Sequence, residues 1–447
     1  MTKVIIAKTK LDCEHLLGQF LDESHFDILV EEDMDCYMPP DCISINDNCD
    51  MKCESCPNGT DERRIAFKFR KNYFSKEEQE QAYLGLKEAA TLSQNRGLAA
   101  GPKGEKCGNR EWVSEYQHRI LEILASGQSA LDGFDPIQEV IDNYKGGVDN
   151  TTRSIVWLSM KVREDNFVFE EWLNKTRKLS ADKRKEEATK IIDRYISQTT
   201  YANAVHSGIA GWFDRYPRIP YGRATAYTQQ HFNKFQMSFP FLQTLNGGFK
   251  ELLPKRWGKQ KEAADKMDPK FLVPGTVFTT VTVNKTFRTA AHRDAGDFSE
   301  GLSNLLVLSN NGNFTGGYLI FPEYRVAVNV RPGDLLLVNN HEIIHGNTPI
   351  VLGDEEAERI SLVVYFREKM LELGSYEYEN IRFEYVEQRR KNKNHKLWKA
   401  LWNGVSEGMW NDKEWYDYLE KEGGAEMLTK YHPESRETAS TLDSLFG

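Results

Sequence analysis

The chain has 447 residues, of which 40% are hydrophobic and 28% charged, and its formal net charge is −9. This length exceeds one small domain and indicates two domains or one domain with large extensions. The negative charge argues against a uniformly basic nucleic-acid-binding surface but is compatible with a local basic groove. No apolar run approaches the ~20 residues of a membrane-spanning helix. The N-terminal segment also lacks the apolar core of a signal peptide, so we expect a soluble intracellular protein without a membrane partner.

Five of the seven cysteines are clustered in the N-terminal part of the chain: Cys36, Cys42, Cys49, Cys53 and Cys56. In a reducing compartment, clustered thiols indicate metal binding more often than disulfides. The last three, together with one of the first two, would make a structural zinc site. A solvated cysteine-rich loop is the alternative interpretation.

Residues 1–200 are predicted to form a mixed, largely helical N-terminal region. Segment 63–74 (RRIAFKFRKNYF) alternates apolar and basic residues, which predicts a strand with one basic, solvated face. Ser75 and Glu78 then form a capping box that opens the next helix. The Gly-rich stretch 97–109 is interpreted either as a surface turn or as a loop that approaches a phosphate backbone.

Arginines and aromatic residues interleave over residues 211–232, just before a strand-rich stretch. Guanidinium and aromatic planes stack on nucleic-acid bases, and arginines also hold phosphates. Arg215, Arg218 and Arg223 are therefore candidate substrate-binding residues. The alternative is a proline-rich loop that packs on the core and pairs its arginines with local acids. A helix is predicted over 250–267.

Short strands separated by Gly, Pro and Asn turns fill residues 276–368. The predicted strands lie in TVFTTVTVN (276–284), NLLVLSNNGNFTGGYLIF (304–321), RVAVNV (325–330), LLLVNN (335–340) and RISLVVYFRE (359–368). This pattern favours a double-sheet jelly roll, or double-stranded β-helix, whose inward-facing residues line a cavity. We therefore predict an α+β protein with this core at 201–370 and a helical C-terminal extension at 371–447 that ends in a disordered tail.

Three residues of this core have the pattern of a metal site. His292 and Asp294 are two positions apart, so on a strand both side chains point to the same side. His345 supplies a third ligand. Two histidines and one carboxylate on one face of a metal leave the other face open, which is the arrangement of non-haem Fe(II) oxygenases.

Arg359 and Ser361 form a second pattern on the last predicted strand, where they share one side. A guanidinium binds a carboxylate with two parallel hydrogen bonds, and a hydroxyl adds a third. The distal carboxylate of 2-oxoglutarate needs a contact of this kind.

These segments resemble the 2-oxoglutarate/Fe(II) dioxygenases of the TET and base-J-binding-protein group, over residues 200–370. The ordered motifs that carry the resemblance are His292-x-Asp294, Gly316-Gly317, Pro332-Gly333-Asp334, His345-Gly346 and Arg359-x-Ser361. The similarity is strongest to the short phage and fungal or algal members. It implies a compartment that depends on the source: the cytoplasm of a bacterial host for a phage-encoded chain, or the nucleus for a eukaryotic one. No protein partner is indicated.

The resemblance implies that the chain binds Fe(II) and 2-oxoglutarate, uses O2, and oxidises the C5-methyl group of a pyrimidine in DNA. A base within a duplex does not reach a buried iron, so it would be flipped into the pocket. 5-Methylcytosine is the expected base, with 5-hydroxymethylcytosine as the product and further oxidation left open. Thymine in DNA is the alternative.

The resemblance also implies roles for three further residues. Asn284 lies where related enzymes place a polar contact to the cosubstrate; alternatively, it is a turn residue. Asp297 lies where TET enzymes carry a base-reading residue, and its carboxylate would accept from N4 of cytosine or N3 of thymine. Asparagine is common there in animal members, so the base stays open. Arg367 is a second candidate base reader or, alternatively, part of a salt bridge at the rim.

Two other function classes use parts of the same pattern. An oxygenase for a small molecule, an amino acid or a peptide would share the iron core, and the acidic net charge is compatible with it. A non-catalytic cupin-like binding module is disfavoured, because both the metal pattern and the carboxylate contact are complete. C-terminal to the core, a helix over 384–405 carries a basic run at 389–396, which is interpreted as a solvated face or as a positive patch.

Overall fold

The computed structural model describes residues 2–39, 62–93, 96–102, 203–214, 221–391 and 412–435, and most of 176–187. The chain divides into two compact units. The first comprises residues 1–103, 202–216 and 220–380, and the second comprises residues 104–201, 217–219 and 381–447. No helix within the described ranges is long and apolar enough to span a membrane.

The first unit is built mainly of β-strands. In chain order they are β1 (Lys3–Ile6), β2 (Ile28–Val30), β3 (Met34–Tyr37), β4 (Ile65–Arg70), β5 (Leu92–Ser93), β6 (Val205–Asp214), β7 (Gly222–Ala224), β8 (Thr280–Lys285), β9 (Ser303–Ser309), β10 (Phe314–Gly316), β11 (Leu319–Phe321), β12 (Val326–Val328), β13 (Leu335–Val338), β14 (Gly346–Asn347), β15 (Ile350–Leu352) and β16 (Arg359–Tyr365). The α-helices in the described part of the chain are α1 (Lys76–Leu86), α2 (Ala226–Gln230), α3 (Phe232–Met237), α4 (Phe239–Leu252), α5 (Pro254–Ala264), α6 (Tyr376–Lys391) and α7 (Asp412–Tyr431).

The strands form a large mixed sheet and a smaller one. The large sheet has the order β1-β3-β4-β13-β9-β16-β8-β6-β5, with β7 paired to β6, and the smaller has the order β14-β11-β12-β2. Strands β10 and β15 form a separate antiparallel pair. Two sheets together with helices agree with the predicted α+β class.

The two faces of the large sheet contact different apolar clusters. On β9, Leu306 and Leu308 belong to a cluster that includes the aromatic side chains of α3 and α4. Leu305 and Val307 point the other way, into a cluster with residues of β11, β12 and β13. Because side chains alternate along a strand, a strand buried on both faces reads as a continuous apolar run. This explains why β9 was recognisable as a strand from its sequence.

Strands from the N-terminal hundred residues are part of both sheets. Strand β4 pairs antiparallel with β13, β3 pairs with β4, and β2 runs parallel to β12. The predicted boundary at residue 200 therefore does not separate the described N-terminal strands from the core. The sequence of β4 indicates a strand, but the partner of a strand is a non-local property that its own residues do not encode.

Two helix predictions have different outcomes. The capping box before α1 is confirmed: Ser75 Oγ accepts from the Glu78 amide at 3.2 Å, and the Glu78 carboxylate accepts from the Ser75 amide at 2.9 Å. The single helix predicted over 250–267 is wrong. α4 ends at Leu252 and α5 begins at Pro254, because proline lacks an amide hydrogen and suits only the first turn of a helix.

In the second unit, helix α7 packs through Trp415. This side chain is 1% exposed, its ring centroid lies 5.3 Å from that of Tyr385, and its indole nitrogen donates to His432 Nε2 at 3.2 Å. The predicted helix over 384–405 corresponds to α6 up to Lys391, and its remainder lies outside the described residues. Four cysteines of the cluster, Arg215, Arg218, the basic side chains at 389–396 and the predicted tail also lie outside the described part.

Candidate active site

A cavity of about 390 Å³ lies within the first unit. Residues of β8, β9, β11 and β16 line it, together with the segments 289–297 and 345–347. Residues 96–99, from a short 3-10 helix and the residue before it, also contribute. The charged and amide side chains on its wall are Arg96, Asn284, His292, Arg293, Asp294, Asp297, His345, Asn347 and Arg367.

The three predicted metal ligands meet at this cavity. His292 and His345 form an antiparallel bridge, with amide-to-carbonyl distances of 2.9 and 3.0 Å. Asp294 Oδ1 lies 3.3 Å from Nε2 of His292 and 3.8 Å from Nε2 of His345. One possible ligand atom from each of the three residues lies within 4.8 Å of the other two. Among the described residues, no other set of three or more His, Cys, Asp or Glu side chains meets this distance. Asn340 donates to the other oxygen of Asp294 at 3.0 Å.

The hydrogen bonds of the two imidazoles orient them as ligands. His292 Nδ1 lies 2.8 Å from the Ala290 carbonyl, and His345 Nδ1 lies 3.0 Å from the Ile343 carbonyl. A carbonyl only accepts, so each Nδ1 carries a hydrogen and Nε2 is the ring nitrogen left to face a metal. In the metal-free protein, Nε2 of His292 donates to Asp294, and this contact raises the pKa of His292 despite its burial. The donor set fits a ferrous ion, which prefers two imidazoles and one carboxylate in this arrangement.

The charges of the three groups also suit metal binding. Burial, and then the neighbouring His292, lower the pKa of His345 to about 4. Burial opposes the ionisation of Asp294, but the hydrogen bond from His292 and the charges of both imidazoles outweigh it and hold its pKa at about 2. At neutral pH, His345 is therefore neutral and Asp294 ionised, the protonation states that coordination requires.

Arg293, between two of the ligands, tethers this segment to the N-terminal part of the unit. Its Nη2 lies 2.6 Å from the Glu14 carboxylate and 3.2 Å from that of Glu323, and its Nε donates to the Glu342 carbonyl at 3.1 Å. These bonds hold the backbone of the ligand segment in place.

Two of the three predicted cosubstrate residues line the cavity, and Arg359 does not. Asn284 and Ser361 are cross-strand partners on β8 and β16, and the Ser207 hydroxyl donates to Asn284 Oδ1. Asn284 is thus a strand residue rather than a turn residue. Arg359 lies two positions from Ser361 on the same side of β16, but it is 2% exposed and its guanidinium packs beside the Phe314 ring. Burial, and then Arg331, lower its pKa to about 10.

Gly317 makes room for Arg359. Its φ of +67° is in the left-handed region, and a Cβ at this position would lie 3.3 Å from Arg359 Nε. The Gly316-Gly317 turn is therefore required both by its backbone conformation and by the close approach of the guanidinium.

Asp297 and Arg367 face each other across an isolated antiparallel bridge, and both line the cavity. The Ser303 hydroxyl donates to the Asp297 carboxylate. Burial and the charge of Asp294 raise the pKa of Asp297 to about 8, despite that hydrogen bond. Arg367 donates through Nε to Asp214, which is 2% exposed, so a buried carboxylate anchors this guanidinium.

Residues 213–368 match Tet_JBP, the oxygenase domain of the 2OGFeDO superfamily. This stretch matches a TET/JBP-type oxygenase domain. The match confirms the predicted double-stranded β-helix core and supports the predicted Fe(II)/2-oxoglutarate dioxygenase class. The match includes all three candidate metal ligands, Arg359 and Ser361.

Several curated proteins are similar to the chain. Thymine dioxygenase JBP1 of Crithidia fasciculata is 35% identical over 175 residues, which are 38% of this chain and 21% of that protein. Thymine dioxygenase JBP1 of Trypanosoma brucei brucei is 30% identical over 288 residues, 58% of this chain and 33% of that protein. The chain spans a third or less of the length of these relatives. Among solved structures, NgTET1 in complex with 5mC DNA aligns with 45% of this chain and 75% of its own, with 18% identity and a TM-score of 0.33.

Two residues that line the cavity, Arg96 and Tyr365, were not predicted from the sequence. Arg96 precedes the matched stretch, lines the cavity and donates through Nη2 to the Gly208 carbonyl at 3.2 Å. Its buried Nε has no hydrogen-bond partner, and burial lowers its pKa. Tyr365 also lines the cavity. No local motif marks Arg96, because its place depends on how the N-terminal part packs on the domain.

Two other predicted residues lie elsewhere. Arg223 is on β7, where its guanidinium stacks 4.9 Å from the centroid of the Phe213 ring, and it does not line the cavity. Cys36, the single member of the cysteine cluster in the described part, is buried in the core on β3, and burial raises its thiol pKa to about 12. A zinc site formed by the cysteine cluster stays a prediction.

Proposed function

We propose that the chain is an Fe(II)- and 2-oxoglutarate-dependent dioxygenase that hydroxylates the C5-methyl group of a pyrimidine base in DNA. The observation that carries the proposal is the cavity itself. The three candidate metal ligands, Ser361, Asp297 and Arg367 all line one cavity in a stretch that matches a TET/JBP-type domain, and Arg359 lies two residues from Ser361 on the same side of β16.

In this proposal, His292, Asp294 and His345 hold the iron. Arg359 and Ser361 bind the distal carboxylate of 2-oxoglutarate. Bound together, Fe(II) and 2-oxoglutarate supply the O2-dependent oxidation of a C–H bond. The protein holds the cosubstrate, orients the methyl group and excludes water.

Two further polar groups are proposed to contact the cosubstrate. The amide of Asn284 faces the same cavity as Ser361. The unpartnered Nε of Arg96 is suited to an anionic oxygen, since a buried guanidinium without a partner is costly until a ligand pairs with it.

The base is proposed to enter the cavity in a flipped conformation, because the metal ligands are recessed from the surface. His345 is 3% exposed, and Asp297 is 6% exposed. Asp297 offers an acceptor, or a donor when protonated, and Arg367 offers donors only. Tyr365 adds an aromatic side chain on the same wall, suited to stacking on a base.

Either of two bases satisfies these groups. With 5-methylcytosine, the unprotonated oxygen of Asp297 accepts from the N4 amino group while Arg367 donates to N3 or O2. With thymine, Asp297 accepts from N3–H and Arg367 donates to a carbonyl oxygen. The names of the similar proteins, thymine dioxygenases, support thymine. The donor and acceptor order along the edge of cytosine supports 5-methylcytosine.

Mass spectrometry of nucleosides tests the proposal. The protein is incubated with Fe(II), 2-oxoglutarate and duplexes that carry either thymine or 5-methylcytosine at one defined position, with Asp294→Ala as the inactive control. 5-Hydroxymethyluracil identifies a thymine hydroxylase, and 5-hydroxymethylcytosine identifies a 5-methylcytosine hydroxylase. Succinate formation without either product would refute a DNA substrate and favour a small molecule or an amino acid.

A further inference from the structure

Two arginines share one aromatic ring in the core of the first unit. The guanidinium carbon of Arg331 lies 4.6 Å from the centroid of Phe314, and that of Arg359 lies 5.5 Å from the same centroid. Arg331 also lies 5.6 Å from the centroid of Tyr318. Arg331 comes from the turn before β13, and Arg359 begins β16.

Both guanidiniums have buried nitrogens without partners. Nη1 of Arg331 and Nε of Arg359 are inaccessible to solvent and form no hydrogen bond. The nearest acid along the turn, Asp334, is already engaged: it accepts from Lys71 Nζ at 2.7 Å and from the Asn72 and Arg331 amides at 3.1 and 2.9 Å. Burial lowers the pKa of both arginines, which means that the fold keeps each guanidinium charged at a cost in free energy.

Three other arginines of the first unit are compensated. Arg293 pairs with Glu14 and Glu323, and Arg367 pairs with Asp214. Arg256, which is 5% exposed, donates to four backbone carbonyls. Arg359, which is 2% exposed, has no acidic partner among the described residues, whereas Arg331 is partly exposed and also forms a hydrogen bond with Tyr318. An anion bound at Arg359 would therefore neutralise a charge that the described residues leave uncompensated, beside a second cation that keeps one unpartnered nitrogen.

We infer that Arg331 is a second cation for the distal carboxylate of the cosubstrate, acting together with Arg359. The inference depends on the proposed function in one respect, that the cosubstrate is a 2-oxo diacid. Arg331 acts through charge: it strengthens the positive potential at Arg359, where the carboxylate binds, and the carboxylate in turn neutralises the pair. A 2-oxo acid with a methyl group in place of the distal carboxylate gains nothing from Arg331.

Calorimetric titration of the Fe(II)-loaded protein without O2 tests the inference. The ligands are 2-oxoglutarate and 2-oxopentanoate, which has the same carbon count without the distal carboxylate. Arg331→Gln should weaken binding of 2-oxoglutarate about 5- to 30-fold, the range for a loss of one to two kcal/mol, and leave binding of 2-oxopentanoate unchanged. Arg331→Lys keeps the charge and should stay within about 3-fold of the wild type.

Arg325→Gln is the matched control, since Arg325 directly precedes β12, Arg331 follows the same strand, and Arg325 pairs with the exposed Asp27. It should bind both ligands like the wild type. Unchanged 2-oxoglutarate binding in Arg331→Gln overturns the inference, as does an equal loss for both ligands, which would mean that Arg331 only supports the packing. If Arg331→Gln fails to fold, Arg331→Met, which retains the apolar stem, decides by the same comparison. A wild-type protein that does not bind 2-oxoglutarate would instead overturn the proposed function.

Discussion

Replacing Arg359 by methionine should separate stability from cosubstrate binding. The pKa of this buried guanidinium is lowered from 12.5 to about 10, which corresponds to a cost of about 3 kcal/mol for holding the charge in the fold. Methionine keeps most of the apolar stem and removes the charge. We therefore expect the ligand-free Arg359→Met protein to be as stable as the wild type, or up to about 3 kcal/mol more stable.

The same substitution should reduce the affinity for 2-oxoglutarate. Removing one partner of a buried, hydrogen-bonded charge pair costs about 2–5 kcal/mol, so the affinity should fall at least about 30-fold. Thermal unfolding with and without 2-oxoglutarate measures both effects. At a ligand concentration of 100 times the wild-type Kd the wild type gains about 2.7 kcal/mol, whereas the variant should gain at most about 0.9 kcal/mol at that concentration.

Arg256→Met is the matched control, because Arg256 is also buried but donates to the carbonyls of Glu62, Arg63, Ser299 and Gly301. Its loss leaves buried acceptors without donors, so the protein should lose at least about 2 kcal/mol. If ligand-free Arg359→Met were destabilised like Arg256→Met, Arg359 would be a structural residue. A wild-type response to 2-oxoglutarate in Arg359→Met would place the carboxylate contact elsewhere.

Four other predictions follow from the geometry of the cavity. Asp294→Ala should lose both bound Fe(II), measured by metal analysis, and turnover, while its circular dichroism spectrum stays unchanged; full activity would contradict the metal assignment. Asp297→Asn should change the ratio of 5-methylcytosine to thymine oxidation by about 10-fold or more, because hydrogen bonds to charged groups contribute about 1.5–3 kcal/mol. Equal losses on both bases and in DNA-free succinate formation would assign Asp297 to the metal site instead. Burial and the charge of Asp294 raise the pKa of Asp297 from 3.8 to about 8, so the folded state binds the proton more tightly than the unfolded state. The free energy of unfolding of the metal-free protein should therefore fall as the pH rises across that range, and Asp297→Asn should flatten this slope; identical slopes in chemical denaturation would disprove the assignment. Asp214→Asn should lower oxidation of DNA more than DNA-free succinate formation, because Asp214 anchors Arg367; a parallel loss of both would indicate a structural role.

The strands and the metal ligands were predictable because their signals are local. The apolar runs of β9, β13 and β16 indicate buried strands, and a two-residue spacing predicts that His292 and Asp294 point the same way. His345 and Arg359 were chosen from the residue types available in the same strand-rich stretch, and the ordered motifs of the resemblance supported both. Such motifs name the residues that meet, without giving the distances between them.

Only the three-dimensional structure shows which charged side chains have a partner of opposite charge and which do not. Arg293 and Arg359 look alike in the sequence, yet the first has two carboxylate partners and the second is buried beside Phe314 with an unpaired nitrogen. Arg96 and Arg331 carried no motif, and they matter only because distant segments bring them to the cavity or to the same ring as Arg359. The sequence by itself determined which chemistry is available. The fold determined which charges stay unsatisfied, because desolvation and pairing depend on neighbours that are remote along the chain.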